Sequence, residues 1–389
     1  MDYLVIARKY RPQTFSEVSG QGVIARTLAN AIRSNRVAHA YLFTGPRGVG
    51  KTSMARILAK ALCCENGPTE KPCGTCQHCV MITDGSHPDV AEIDAARFSG
   101  VDAIRELSDG ASFSPTMARS RIYILDEVHM LSTSAWNALL KLLEEPPAHV
   151  RFIFATTEVD KVLATVLSRC QRFDFRAIEL DDIVARLRDI CGKENAKLSD
   201  AVLFRIARAA GGGMRDAQTL LDQLIAVSDG TVNEEDLNLL LGAARGEDLD
   251  ALLGDLLAGD SAKALNALER ITSGGVSAAT LIEQLIDQVR ALLLIQTCGI
   301  SSPAVQRLGL PTATLESRAA ATTPEKIMRI AQILMASQQA LRHGVDPRLQ
   351  LELACVRIAR LGEVLDIDGL LRRLERLERS GAGSPAHPR

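Results

Sequence analysis

Aromatic side chains are scarce in this chain. Phe, Trp and Tyr make up 4% of its 389 residues, with a single tryptophan. That argues against a single-strand nucleic-acid binder built on stacked bases. A dominant charge is missing too. The formal net charge is −2, so no polybasic footprint covers the chain, and any phosphate contacts must come from a local arrangement of Lys and Arg. Long apolar runs are also lacking. The N-terminus, MDYLVIARKYRPQTF, has no apolar core of signal-peptide length, and the late run ALLLI at 291–295 is far too short to span a bilayer. These absences predict a soluble, cytoplasmic protein with no membrane segment.

What is there supports real cores. The hydrophobic fraction is 47%, and the length suits two or three domains. Up to residue 178, short apolar runs alternate with helical patterns. AYLFT, DVAEID, RIYILDE, RFIFATT and QRFDF read as strands, with helical spacing over 51–62, 101–109, 134–145 and 160–168. That alternation predicts an α/β fold with a parallel sheet and helices on its faces. After Ile178 the strand signals stop. Three helical patterns follow to about Leu241, and from Gly242 to about Leu377 the chain reads as wholly helical. In one late segment Leu281, Leu285, Val289 and Leu292 form an apolar stripe. Glu283, Asp287 and Arg290 interrupt it, so the stripe predicts bundle core rather than a membrane helix. The end, RSGAGSPAHPR, has linker composition.

A phosphate-binding motif lies between the first predicted strand and the first of these helices. Gly45, Pro46, Arg47, Gly48, Val49, Gly50, Lys51, Thr52 and Ser53 contain G-x-x-x-x-G-K-[ST]. The glycines let the backbone turn its N–H groups toward phosphate oxygens, and the helix N-terminus adds a favourable dipole. Lys51 reaches the outer phosphates and the Thr52 hydroxyl coordinates Mg²⁺. The run RIYILDEVH supplies the second half. Asp126 is placed near Mg²⁺, and Glu127 can polarise an attacking water. The plain alternatives are a Gly-rich turn and two acids opening a loop; the strand-loop-helix context weighs against both. His129 reads as a packing residue and receives no role.

Five of the nine cysteines fall between positions 63 and 79. Cys64, Cys73, Cys76 and Cys79 have a spacing that suits a structural, tetrahedral Zn²⁺ site. An iron–sulfur run would continue to a fourth cysteine followed by proline, and here Val80 and Met81 follow. Cys63 is an alternative to Cys64 as the first ligand.

Two arginines need a partner. Ligands in a parallel sheet bind beyond the carboxyl ends of the strands. The phosphate loop, Glu127, Thr156 and Thr157 lie at that end. A helix over 160–168 would run back the other way and carry Arg169 to the opposite edge, far from its own nucleotide. Arg169 is then either a surface arginine complementing a helix dipole or a finger supplied to a neighbouring subunit. Arg215 follows a glycine triplet at a helix start. It either reaches the phosphates in cis or pairs with Asp216 at the surface.

Together, ARKYRPQTFSEVSGQ, HAYLFTGPRGVGKTS, the four cysteines, ILDEVHMLS, NALLKLLEEPP, FATTE and LSRC resemble the gamma/tau subunit family of bacterial DNA polymerase III. The likeness is dense over residues 1–225 and weaker through the helical C-terminal part. It implies an AAA+ module over 1–178 with a zinc insertion at 64–79, a helical lid over 179–242, a helical collar over 243–377 and a flexible tail over 378–389. It implies an ATPase using ATP, Mg²⁺ and Zn²⁺ that works in a pentamer of its own copies with delta and delta-prime subunits. That assembly opens the beta sliding clamp and loads it on primed DNA. By position in the family, Thr157 is the first sensor, Arg215 the second and Arg169 the trans finger. Arg11 lies beside the adenine, and Arg97, Arg105 and Lys161 lie where DNA phosphates pass. Contacts to phosphate alone would make DNA binding sequence-independent and salt-sensitive. Full tau proteins extend further to bind helicase and polymerase, and this chain stops in its linker.

Rival readings are weaker. A DExH-type helicase, suggested by DEVH, needs a second domain with its own strands, and none is legible after residue 178. A scaffold that binds nucleotide without turnover would not need Lys51, Thr52, Asp126 and Glu127 all intact. Another AAA+ translocase, such as a branch-migration motor, does not account for the cysteine insertion.

Overall fold

Four short apolar runs and the more polar QRFD at the sheet edge become five parallel strands; the central ones are covered on both faces and need apolar side chains pointing both ways. They are β1 (Ala40–Thr44), β2 (Val90–Asp94), β3 (Arg121–Asp126), β4 (Val150–Thr156) and β5 (Gln171–Asp174). The sheet order is β2-β3-β4-β1-β5. The computed structural model describes residues 4–97, 101–227, 234–306, 308, 312–341 and 343–361. Two compact units divide at Val232 and Asn233.

The first unit holds α1 (Ile6–Lys9), α2 (Gly22–Arg33), α3 (Lys51–Cys63), α4 (Gln77–Asp84), α5 (Val101–Ala111), α6 (Thr133–Glu144), α7 (Ala164–Leu167), α8 (Leu180–Glu194), α9 (Asp200–Ala209) and α10 (Met214–Val227). Period-2 alternation sorts the strand residues onto two faces. Tyr41, Phe43, Ile122, Ile124 and Ile153 pack with α2 and α3. Ala40, Leu42, Tyr123, Leu125, Phe152 and Phe154 pack with α5 and α6. Local signals set the helix starts: Ser132 Oγ accepts the Ala135 N–H, and Ser199 Oγ accepts that of Val202. Helices α8 to α10 continue the first unit without strands.

One expectation fails. Residues 160–168 do not form a single helix. A 3₁₀ turn spans Val159–Lys161, Val162 and Leu163 are extended, and α7 has only four residues. β-branched Val162 loses side-chain freedom in a helix. The broken path lets both Val162 and Val166 reach the buried cluster under β4.

The second unit is helical throughout its described residues. It comprises α11 (Glu234–Leu241), α12 (Gly246–Ala258), α13 (Ser261–Ser273), α14 (Ala278–Cys298), α15 (Pro303–Gln306), α16 (Thr312–Ala321), α17 (Pro324–Leu341) and α18 (Pro347–Ala359). The predicted stripe Leu281, Leu285, Val289 and Leu292 lies in its core. No helix among the described residues is long and apolar enough to cross a membrane. The expected tail at 378–389 lies outside the described residues.

Candidate active site

The phosphate loop leaves the carboxyl end of β1 and enters α3. Three of its glycines have left-handed backbones: Gly45 at φ 136°, Gly48 at 76° and Gly50 at 100°. Gly45 has no room for a side chain, and Gly48 has little. A Cβ on Gly45 would sit 2.3 Å from the Phe175 carbonyl, and one on Gly48 would sit 3.1 Å from the Gly213 Cα. The Gly48 carbonyl accepts the Arg215 N–H at 3.3 Å. The start of α10 therefore rests on the loop, which is why the glycine triplet at 211–213 precedes it.

Lys51 is buried, with 5% exposure. Its ammonium donates to the Gly45 carbonyl at 2.8 Å and the Pro46 carbonyl at 2.7 Å. Burial lowers its pKa, and Glu127 and Asp126 oppose that shift. Thr52 donates to Asp126 Oδ2 at 2.6 Å, so the two predicted magnesium ligands already touch. Asp126 Oδ1 accepts the Glu127 N–H at 2.9 Å. Glu127 itself has φ 49° and ψ 44°, a left-handed conformation that costs a non-glycine residue ~1 kcal/mol or more. The turn takes its carboxylate off the strand direction, where Thr157 donates to Oε2 at 3.3 Å.

These groups border a cleft of about 470 Å³, within the usual range for a nucleotide-sized ligand. Arg47, Gly48, Val49, Gly50, Lys51, Thr52, Ser53, Asp126 and Glu127 line it, joined by Arg11 and Arg215. Gly45 and Pro46 do not line it; they act through their carbonyls on Lys51. Thr157 reaches it through Glu127. Burial lowers the pKa of Arg11, with Arg56 adding to the shift. The segment carrying Arg11 is tied to α8: Tyr10 donates to Glu194 at 2.6 Å and Arg186 donates to the Tyr10 carbonyl at 3.1 Å.

The sequence reading missed two residues here. Arg186 lines the cleft but sits on the polar face of an amphipathic helix, where an arginine carries no signal. His129 is visible in DEVH but spacing alone assigns it no role; its ring contacts Thr156 at 3.0 Å and lies 3.4 Å from Glu127.

Arg169 does not approach the cleft. β5 runs parallel to β1 with Gln171 opposite Tyr41 and Asp174 opposite Thr44. Arg169 precedes the amino end of β5, while the phosphate loop leaves the carboxyl end of β1. Those ends are ~10 Å apart along the strands. Its guanidinium donates to the Thr165 carbonyl at 2.7 Å and to Glu144 at 2.8 Å. Although the helix expected before it is broken, the sheet register still puts this arginine at the far edge. Arg97, Arg105 and Lys161 are exposed and outside the cleft lining. Arg97 lies 3.7 Å from Asp94, and Lys161 is 2.8 Å from Glu158.

The cysteine cluster forms as expected. The thiols of Cys64, Cys73, Cys76 and Cys79 all lie within 4.8 Å of one another. A tetrahedral ion with ~2.3 Å bonds to sulfur sets ligands ~3.8 Å apart, and the Cys64–Cys73 and Cys73–Cys79 separations are 3.6 and 4.0 Å. Four converging thiols with no carboxylate among them fit a structural zinc. Backbone N–H groups of Cys76 and Thr75 pull the Cys73 thiol down to about 6. Cys63 is not a member. Its thiol faces the Ser120 carbonyl at 3.8 Å, and burial pushes it up to about 12. Arg119 fastens the cluster's first turn by donating to the Cys64 and Glu65 carbonyls. α3 separates the cluster from Lys51 by ~20 Å.

Three family profiles match the chain in succession. Residues 20–179 match DNA polymerase III, delta subunit; 182–230 match the DNA polymerase III clamp loader subunit, ATPase lid domain; and 232–374 match DNA polymerase III subunits gamma and tau domain III. The Bacillus subtilis DNA polymerase III subunit tau is 40% identical over 97% of this chain and 68% of its own length. The Escherichia coli subunit tau is 38% identical over 92% of this chain and 55% of its own. The Mycobacterium tuberculosis subunit gamma/tau is 40% identical, with 66% of its length covered. The chain thus spans between about half and about two thirds of these relatives. Among solved structures, the Thermotoga maritima RuvB Holliday junction branch migration motor gives a TM-score of 0.45 at 17% identity, covering 64% of this chain and 79% of that one. The Bacillus subtilis DNA clamp loader delta protein gives 0.33 at 12% identity, covering 86% and 99%. Neither likeness is close enough to bear on function.

Proposed function

Because the chain belongs to the family of DNA polymerase III gamma and tau subunits, an ATPase family of AAA+ fold, we propose that it is the ATPase motor of a replicative clamp loader. It binds ATP with Mg²⁺, and hydrolysis drives the opening and loading of the beta sliding clamp on primed DNA. The carrying observation is the joined cleft. Lys51, Thr52, Asp126 and Glu127 lie along one wall, and Arg215 enters from the helices that follow the sheet.

The Lys51 ammonium exchanges its two carbonyl partners for phosphate oxygens. Thr52 and Asp126 hold Mg²⁺, which supplies charge neutralisation for the phosphates. Glu127 orients and polarises the attacking water, with Thr157 as the first sensor hydrogen-bonded to it. Arg215 is the second sensor, acting in cis. Arg11 lies beside the base. Arg169 serves the neighbouring subunit's nucleotide as a trans finger, so full activity requires assembly with further copies and with delta and delta-prime subunits. Zn²⁺ in the Cys64, Cys73, Cys76 and Cys79 site is structural, holding the insertion together. Arg97, Arg105 and Lys161 contact DNA phosphates. The working compartment is the cytoplasm.

Steady-state ATP hydrolysis tests the reading. The chain is mixed with delta, delta-prime, clamp and primed DNA, and each component is omitted in turn. Stimulation that needs both clamp and DNA is expected. High activity on DNA by the chain alone, indifferent to the clamp, would instead mark a translocase.

A further inference from the structure

His129 sits in the 3₁₀ turn directly after Glu127, with a side chain only 9% exposed. Both ring nitrogens have polar neighbours. Thr156 Oγ1 accepts the Glu158 N–H at 3.0 Å and shares a second hydrogen bond with His129 Nδ1 at 3.0 Å. Nε2 faces Glu158 Oε1 at 3.4 Å, while Glu158 Oε2 takes Lys161 at 2.8 Å.

The other side of the ring faces the cleft. Nδ1 stands 3.4 Å from Glu127 Oε2, the same oxygen that accepts the Thr157 hydroxyl at 3.3 Å. The imidazole therefore stands against the carboxylate as a wall. Thr157 pulls the carboxylate and His129 limits its swing. Glu127 gains from such support, since its backbone is left-handed and its side chain is part-exposed.

We propose that His129 is a positioning residue for Glu127, holding the carboxylate in the direction that orients the attacking water, with the Glu158–Lys161 pair holding His129 in turn. This rests on the reading of Glu127 as the water-polarising group. A histidine present only to fill space would not need both nitrogens engaged between a cleft carboxylate and a surface ion pair.

The test uses the full chain assembled with its delta and delta-prime partners, measuring steady-state ATP hydrolysis, nucleotide affinity and melting temperature. Glu127→Gln is the reference. His129→Ala is expected to lower kcat about tenfold or more while KM and nucleotide affinity stay within about twofold. His129→Asn puts a hydrogen-bonding group back at the Nδ1 position and is expected to recover most of that loss. His129→Gln reaches only the Nε2 position and is expected not to. Wild-type kcat in the Ala variant would overturn the proposal. So would a loss matched by equal losses in affinity and melting temperature and rescued by neither amide, which is the behaviour of a packing residue. Rescue by Gln rather than Asn would overturn it too, by moving the effect to Glu158. If Glu127→Gln itself hydrolyses like wild type, the underlying assignment of Glu127 has failed, and that result is distinct from the others.

Discussion

At the scale of single residues, the cleft separates binding from chemistry. Lys51 contributes charge from a buried position, where an uncompensated loss is not made good by water. Lys51→Ala is expected to weaken nucleotide binding beyond ~100-fold, read by equilibrium binding of a fluorescent ATP analogue. Glu127 is read as acting on the water and not on the phosphates, so it needs no part in ground-state affinity. Glu127→Gln is expected to keep that affinity and to lower kcat ~100-fold or more. Retained binding by the lysine variant, or lost binding by the glutamine variant, would assign the two roles wrongly. Most of this was legible in the sequence because the motif fixes backbone as well as side chains. Gly45 leaves no room for a Cβ and Gly48 combines a tight site with a left-handed backbone, so residue type and geometry are the same fact there. His129 and Arg186 were not legible. Their roles depend on what the fold brings opposite them, residues 156–158 for the histidine and the N-terminal segment for the arginine, and spacing along the chain carries no record of that.

At the scale of elements, two devices hold the edge of the sheet beyond α3. One is the cysteine cluster. Chain spacing alone left Cys63 and Cys64 both eligible, and the choice is made by α3, whose last turn aims Cys63 at Ser120 and leaves Cys64 free to join the others. One zinc per chain is expected by elemental analysis. Cys79→Ser should reduce it to well below one and lower the melting temperature, since binding energy at such a site is folding energy. A well-folded wild-type sample without metal would remove the zinc assignment. The other device is Asp89, with 1% exposure. Burial works to raise its pKa, but the N–H groups of Ala118, Thr116 and Met117 more than offset that, and the net shift is downward. The stabilisation is therefore fully present above the unfolded carboxyl value near ~3.9 and is lost as pH falls through the lower folded value. Asp89→Ala is expected to cost ~3 kcal/mol in denaturant unfolding at neutral pH, with a correspondingly shallower loss of stability in acid. An unchanged acid limb would mean that other carboxylates control it. None of this clasp was visible in the sequence, because its donors are backbone groups of residues 116–118. The broken helix at 159–167 was hidden for a related reason. Helical spacing was present there, but burying Val162 and Val166 together favoured an extended step between them.

At the scale of the whole molecule, the decisive fact is that the cleft and Arg169 face opposite ends of one parallel sheet. Sheet register sets this, so no side-chain rearrangement brings the guanidinium to its own nucleotide. The pairing with Glu144 at 2.8 Å joins two exposed or half-exposed groups and is worth little on its own, which leaves the arginine available to a more strongly charged partner. If that partner is the phosphate of an adjacent copy, the effect of removing Arg169 must depend on assembly. Arg169→Ala is expected to leave nucleotide affinity and melting temperature of the isolated chain unchanged. The stimulated hydrolysis of the assembled complex should fall ~10³-fold, the scale associated with an arginine finger. Mixing makes the argument sharper. Hydrolysis-dead Glu127→Gln chains still carry Arg169, and Arg169→Ala chains still carry Glu127. Complexes assembled from both should recover part of the activity that neither shows alone, because some junctions then combine an intact cleft with an intact finger. Absence of recovery, with both variants shown to enter the same complexes, would place Arg169 in the structure of its own subunit and not at its neighbour's site.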